Sequence, residues 1–505
     1  MSHEVAARFL ADCMETETIG LHRPPPDVVR RVRTRCLSPG FMAGLVPAVD
    51  ALVLYGTSML IWYVYVGLLS PATVASYIAA TGLGTFGAIV IQYLNGLYGP
   101  DHLGNLRRQL PRTLLCWGIA ITLIVQLAFA LKVTEEFSRV WLFSWLIAGA
   151  VGLTGLRILT ARLMGHFARA GFVGERIAVY GAGSQGRMLL EHLRAESDDY
   201  LHLVGVFADA QDCADEGHAM APRLVPDGTL GDLLTAAQKG YIDTVILAVP
   251  WTASERLWNL VQALEAVSVD VQLCPAPLGA KLPCHDVQRV ASIPMLSLWT
   301  RPLRSWHGTA KWLEDKIIAT GALLFFGPLM LIIAALIKLD SRGPVLFRQK
   351  RFGFNNEAIH VLKFRTMYAD RQDVSGARRT IRGDSRVTRV GRFLRRTSLD
   401  ELPQLLNVLK GDMSIVGPRP HAVAMKVGDR YYFEAVRGYA ARHRVKPGIT
   451  GWAQVNDLRG EIDTVRKAES RVVHDLHYVN HWSLFLDIWI ILMTFKALIS
   501  TRNAY

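Results

Sequence analysis

The chain has 505 residues, 51% of them hydrophobic, and a formal net charge of +13 at pH 7. That length predicts about three or four units, and the long uncharged apolar runs exclude a wholly soluble protein. The basic excess lies beside those runs and in the C-terminal third, which suits anionic lipid headgroups and phosphate-bearing substrates and speaks against nucleic acid.

Residues 1–40 are polar and arginine-rich and predict a cytoplasmic tail with no signal peptide. Four apolar stretches follow, Leu45 to Leu69, Val74 to Leu97, Leu114 to Leu131 and Trp141 to Leu159. Each is close to the ~20 residues a helix needs to cross the hydrocarbon. Arg30, Arg31, Arg33 and Arg35 precede the first, Arg107, Arg108 and Arg112 follow the second, and Arg157, Arg162, Arg169 and Arg176 follow the fourth. The connections Ser70–Thr73 and Lys132–Arg139 carry little net positive charge. This bias predicts a four-helix transmembrane bundle over 41–165 with both ends cytoplasmic.

From Arg176 the pattern becomes that of a soluble α/β domain, over 170–300. A strand over Arg176–Gly181 runs into Gly181-Ala-Gly183-Ser-Gln-Gly186 and a helix over Arg187–Arg194, and further strands are predicted at Leu203–Phe207 and Thr244–Val249. Glycines at 181, 183 and 186 allow a tight turn and close backbone approach to phosphate at a helix N-terminus, and Asp209 stands where a ribose-binding acid would. The reading is a Rossmann-like, CoA-binding-like domain with a candidate nucleotide site. The competing reading is the same fold with an empty or merely regulatory crevice. Nothing there supplies hydride transfer, so the domain is expected to be dispensable for chemistry. The six cysteines (13, 36, 116, 213, 274 and 284) include no CxxC pair and read as reduced structural thiols.

Residues 312–339 form a fifth apolar stretch containing Gly327-Pro328. An ordinary fifth span would translocate the basic segment after it. A re-entrant helix broken at Gly327-Pro328, entering and leaving on the cytoplasmic side, avoids that. Five polar runs follow: Ser341–Gly353, Leu362–Met367, Arg395–Asn407, Gly411–Pro420 and Val445–Gln454. They hold one adjacent carboxylate pair, Asp400-Glu401, among arginines and a lysine, which is what phosphoryl chemistry needs. The alternative is local: Ser398-Leu-Asp-Glu401 also matches a helix-start capping box. Arg389, Arg392 and Arg396 recur at helical spacing and could line a lipid-facing surface. The stretch 482–500, with Asp487, Trp489 and Lys496, suits an interfacial helix better than a span.

In these runs the chain resembles the bacterial polyprenyl-phosphate hexose-1-phosphate transferases, also called monotopic phosphoglycosyl transferases or bacterial sugar transferases. The catalytic resemblance covers 310–505, and the bundle plus Rossmann-like domain is similar to the large members. The resemblance implies a membrane α/β fold: a four-helix transmembrane bundle, a Rossmann-like α/β domain, and a re-entrant membrane helix with a mostly α-helical cytoplasmic catalytic domain. It implies a multi-pass protein of the bacterial inner membrane. The implied reaction is UDP-hexose plus undecaprenyl phosphate giving undecaprenyl-diphosphate-hexose and UMP with magnesium, the first membrane step of exopolysaccharide, capsule or O-antigen synthesis. Glucose is the expected hexose and galactose the alternative. By the same resemblance Asp400 is the covalent nucleophile and metal contact, and Glu401 its partner in acid/base or positioning work. Arg395 and Arg419 hold phosphate, Pro420 shapes that loop, and Lys363 and Arg365 face the nucleotide or diphosphate. The family's break is commonly Ser-Pro, where this chain has Gly327-Pro328. Expected partners are UDP-hexose, undecaprenyl phosphate and the lipid bilayer, with no nucleic acid and with a homodimer left open. The rival from a neighbouring class, a membrane-bound nucleotide-sugar dehydratase, needs a Tyr-x-x-x-Lys pair, and the chain has none.

Overall fold

The computed structural model of the protein describes residues 39–67, 74–99, 106–170, 172–195, 200–209, 225–251, 254–274, 288–290, 293–303, 306–372, 384–422, 425–427, 430–458 and 464–499. The tail arginines 30, 31, 33 and 35 and the connection 70–73 lie outside the described residues. Two compact units divide the chain, one of them Thr34–Glu175 with Asp198–His202 and the other Arg176–Ser197 with the chain from Leu203 onward.

The first unit is built on α1 (Pro39–Ile61, continued by a π turn over Trp62–Gly67), α2 (Val74–Leu94), α3 (Leu106–Ala130) and α4 (Arg139–Arg169). They pack in a ring, α1 against α2 and α4, and α3 against α2 and α4. Tyr77, Trp117, Trp141 and Trp145 fill the middle, and Gly149 admits the Trp117 ring, which a Cβ would approach to 2.7 Å. All four helices are long and apolar enough to cross a membrane. α3 and α4 extend past their apolar stretches into the flanking arginines, but Arg157, read as one that follows the fourth stretch, lies within it. It is fully buried, donating to Asp50 Oδ1 at 3.0 Å, Asp50 Oδ2 at 2.6 Å and Gln92 Oε1 at 2.9 Å. Asp50, on α1, supplies the countercharge that an ionised group needs away from water.

The second unit opens with a sheet. Its strands are β1 (Glu175–Tyr180), β2 (Leu201–Phe207), β3 (Thr244–Leu247), β4 (Asp270–Leu273), β5 (Gln288–Val290) and β6 (Ile293–Trp299), in the order β2-β1-β3-β4-β6-β5. β1, β3 and β4 pair in parallel, which is why β3 and β4 are buried along their whole length. Helices α5 (Ser184–Ala195), α6 (Leu230–Gln238) and α7 (Ser254–Leu264) accompany them. Gly181 (φ +122°) and Gly186 serve close packing: a Cβ on the first would lie 2.4 Å from Ala248 O, and on the second 2.0 Å from Gly181 O.

Helix α8 (Trp306–Asp340) runs unbroken for 35 residues, so the expected break at Gly327-Pro328 is corrected. Pro328 forfeits one hydrogen bond and crowds the preceding turn, but its φ is helical, so it bends a helix without ending it. Both flanks of Pro328 pack on one body. Ala319, Ala322 and Leu323 join Leu405 and Val408, and Met330, Ile333 and Ile337 join Phe364 and Leu394, with Leu402 common to both clusters. Leu324, Phe325, Leu331 and Ile332 are left exposed. Charges tie down both ends: Lys311 pairs with Asp487 at 2.6 Å, and Asp340 accepts from Val390 N at 3.2 Å.

The remaining elements are a β7 (Leu346–Phe352) and β8 (Ala358–Phe364) hairpin, α9 (Arg389–Arg396), α10 (Gln404–Lys410) and β9 (Ser414–Val416). An antiparallel pair of β10 (Lys426–Val427) and β11 (Arg430–Tyr431) precedes α11 (Tyr432–Ala435). β12 (Gly448–Thr450) pairs in parallel with β9, and α12 (Trp452–Val455), α13 (Val465–Asn480) and α14 (Leu484–Ile499) complete the unit. α14 has 16 residues, about 24 Å at 1.5 Å per residue, which is short for a span. Ile490 packs inward, while Phe485, Trp489 and Leu492 are exposed.

Candidate active site

Asp400 and Glu401 sit on a 3₁₀ turn (Leu399–Glu401) just after α9. Thr388 caps α9 by accepting from Gly391 N at 3.0 Å, and Gly391 lets the helix press on Thr366, whose carbonyl a Cβ would meet at 2.1 Å. The chain then reverses at Ser398, which adopts a left-handed φ of +57°. That conformation is rare outside glycine and costs a serine about 1 kcal/mol. It overturns the capping-box alternative, because a cap residue needs extended backbone and Ser398 makes no side-chain cap bond. Glu401 turns to cations instead. Its Oε1 accepts from Lys363 Nζ at 2.8 Å and from Arg419 Nη2 at 2.7 Å, and its Oε2 accepts from Arg419 Nη1 at 3.4 Å.

Lys363 is delivered by β8, opposite Phe347 of β7. Asn407 of α10 holds that strand as a neighbouring strand would, accepting from Leu362 N at 2.9 Å and donating to His360 O at 2.8 Å. Arg395 donates through Nε to Thr366 Oγ1 at 2.8 Å and bears electrostatically on Asp400. Arg351, which sequence reasoning passed over, completes the cationic wall. It donates to Pro420 O at 2.6 Å and to Gln349 Oε1 at 2.8 Å. Its only signal was membership of the run 341–353. Behind the site Arg442, also missed, donates to Arg419 O at 2.8 Å, pairs with Asp475 at 2.7 Å and contacts His421 Nδ1.

Arg365 has a different task from the one expected. It is buried and donates to the carbonyls of Ser341 (2.7 Å), Arg342 (2.5 Å) and Ile337 (3.4 Å). Ser341 and Arg342 follow the last helical residue, and Ile337 O already accepts from Ser341 N at 3.2 Å, so Arg365 secures the chain as it leaves α8 rather than facing substrate. Gly343, at φ +123°, leaves the room: a Cβ there would lie 2.1 Å from Arg365 Nη1. Arg389, Arg392 and Arg396 are exposed, as a surface-lining face requires.

The two carboxyls titrate apart. Burial alone pushes Glu401 up, but Arg419 and Lys363 overcome it and hold the group well below the ordinary carboxylate range. Burial pushes Asp400 up, Lys363, Arg395 and Arg419 pull against it, and the Glu401 charge adds to the rise. Among the described residues the Asp400 carboxylate accepts no hydrogen bond. Burial drives Arg351 down to about 10, helped by Arg419 and opposed by the two carboxylates. Four cations thus face two carboxylates, a surplus that an incoming phosphate can neutralise.

The glycine loop at 181–186 lies apart from this cluster. Gly183 O accepts from Arg187 N at 3.0 Å inside the first turn of α5. Asp209, the expected ribose acid, accepts from Tyr180 OH at 3.0 Å and from Leu230 N at 3.2 Å, at the start of α6.

A family model described as bacterial sugar transferase matches residues 306–501, the segment from α8 to the end of α14. The chain is also 39% identical over 406 residues to an undecaprenyl-phosphate glucose phosphotransferase of Komagataeibacter xylinus, a match spanning 79% of this chain and 73% of that one. The chain belongs to the bacterial sugar transferase family. A UDP-glucose:undecaprenyl-phosphate glucose-1-phosphate transferase of Klebsiella pneumoniae is 36% identical over 77% of this chain and 81% of its own length. An exopolysaccharide production protein of Rhizobium leguminosarum bv. phaseoli is 52% identical over 36% of this chain and 90% of its own. A second family model, described as a CoA-binding domain, matches residues 93–275 of the transferase.

Proposed function

We propose that the transferase moves glucose-1-phosphate from UDP-glucose to undecaprenyl phosphate, giving undecaprenyl-diphosphate-glucose and UMP. The names of the long relatives support the substrates, and the Asp400–Glu401 turn carries the mechanism. An Asp400 carboxylate oxygen attacks the phosphorus that bears the sugar, and the bond to UMP breaks, leaving a phosphosugar on the carboxyl. A phosphate oxygen of the lipid then attacks the same phosphorus and releases the carboxylate. Glu401, held ionised by Lys363 and Arg419, is ill suited to carry a proton, so its part is to fix those two cations against the diphosphate.

Magnesium fits this donor set only with substrate phosphates completing its shell. Asp400 is the available carboxylate, and among the described residues no three His, Cys, Asp or Glu side chains gather. Bound there, the ion would supply further neutralisation of the diphosphate. The ring of helices reads as a transmembrane bundle, the parallel sheet as Rossmann-like, and α8 as a re-entrant element of the inner membrane. Both flanks of Pro328 resting on one body support that last reading, as do the exposed apolar faces of α8 and α14. The site then lies on the cytoplasmic side, where UDP-sugars are made. Membranes carrying the protein, given labelled UDP-glucose or UDP-galactose, test the reading. A glucosylated diphosphate lipid with stoichiometric UMP is expected, and a product formed only from UDP-galactose would overturn the choice of sugar.

A further inference from the structure

The turn between β7 and β8 is where the sheet-bearing part of the second unit and its catalytic part hold each other. Asn355 and Asn356 occupy that turn, both left-handed (φ +56° and +61°) and both buried, at 3% and 1% exposure. Asn355 Nδ2 donates to Ala237 O at 3.0 Å and Gln238 O at 2.7 Å, at the C-terminal end of α6, while its Oδ1 accepts from Ser268 N at 2.7 Å. Asn356 Nδ2 donates to Ala266 O at 2.6 Å, and its Oδ1 meets His443 Nδ1 at 2.6 Å. Ser268 Oγ donates to Arg444 O at 3.1 Å, and Ala266 packs in a cluster with Phe352, Tyr432 and Phe433. Glycine would satisfy such a backbone, yet Asn355 donates and accepts across the junction, and Asn356 donates across it while its oxygen meets His443 on the catalytic side. Buried polar groups satisfied in this way specify one geometry.

What that geometry governs lies next to the turn. Phe352 N donates to His421 O at 3.3 Å, and Arg351 donates to Pro420 O at 2.6 Å. The end of β7 is thereby fastened to the loop that carries Arg419, the partner of Glu401. We propose that the sheet-bearing domain grips the β7–β8 turn through Asn355 and Asn356 and so fixes Arg351 beside Asp400 and Glu401. The two asparagines are positioning residues for the transfer. The domain is then dispensable for bond-making in principle but not for the placement of this cation. The inference rests on the transferase reading.

The test is a double-mutant cycle in the full-length protein, read as UMP release from UDP-glucose. Asn355→Gly with Asn356→Gly keeps the left-handed backbone and removes only the side-chain bonds. In the wild-type background kcat/KM is expected to fall about tenfold. In an Arg351→Gln background the same pair of changes should cost less than about twofold, because coupled residues are non-additive. Equal losses in the two backgrounds, or none in the first, overturn the proposal. If Arg351→Gln leaves too little turnover to measure, Arg351→Lys takes its place. If the glycine pair folds poorly, Asn355→Gly alone, which loses both donations to α6 and the acceptance from Ser268 N, enters the same cycle. Absence of UMP release from the wild type would instead refute the transferase reading itself.

Discussion

Lys363 Nζ reaches Glu401 Oε1 across 2.8 Å, joining the β8 strand to the turn that presents Asp400. With Arg419 on the same carboxylate, Glu401 is the joint at which three separate segments of the chain meet. Glu401→Gln should loosen that joint and lower turnover on the order of 10²-fold, the loss expected when charge-stabilising groups are mispositioned. It should also change acid stability. Because the folded Glu401 is held below its unfolded range, its contribution is present above about pH 4.3 and lost as pH falls through the folded value. Melting followed against pH should therefore show the wild type ahead at neutral pH and the gap closing in acid. A gap independent of pH would contradict the ion-pair account.

Asp400 carries the opposite sign. Its folded value is raised, so burial costs stability once pH exceeds that value and costs nothing below its unfolded value. Asp400→Asn should thus melt higher than wild type at neutral pH, with the difference vanishing in acid. The same variant should lose roughly 10⁴-fold or more in turnover and all of the labelled phosphosugar adduct. An adduct that survives the substitution would assign the nucleophile elsewhere.

Lys363 and Arg365 are two residues apart and should respond differently to alanine. Lys363→Ala removes a cation from the carboxylate turn, so the protein should stay folded and lose about 10²-fold in turnover. Arg365→Ala strands the Ser341 and Arg342 carbonyls just past α8, at about 1.5–3 kcal/mol for the lost charged hydrogen bonds. Its surviving folded fraction should keep a KM for UDP-glucose within about twofold of wild type. A large KM change without loss of stability would return Arg365 to the substrate site.

Accessibility of the two ends of α8 tests the re-entrant reading. Lys311 is unsuitable for substitution because it is locked to buried Asp487, whereas Trp306 and Arg342 are exposed. Single cysteines at 306 and 342, in a cysteine-free background, should both resist an impermeant thiol reagent in intact spheroplasts. Both should react once the membrane is opened. Labelling of 342 alone from outside would establish a fifth span.

The four apolar helices, the glycine turn into α5, strands β1, β2 and β3 and the Asp400-Glu401 pair were all legible along the chain, whereas β4 was not. Each is encoded by short-range periodicity or by an ordered run of residues, and hydrophobic length or spacing does not depend on what folds back onto it. Which charge meets which was not legible. Glu401 finds Lys363 from 38 residues away, Arg157 finds Asp50 from 107, and Lys311 finds Asp487 from 176. Sequence pattern grouped Arg157 with the flanking arginines, Arg365 with the substrate residues and Ser398 with the helix caps. Tertiary packing placed the first inside a ring of helices, the second beneath the end of α8 and the third in a left-handed reversal. A charged side chain takes its role from the partner that can neutralise it in a dry environment, and only the folded chain selects that partner.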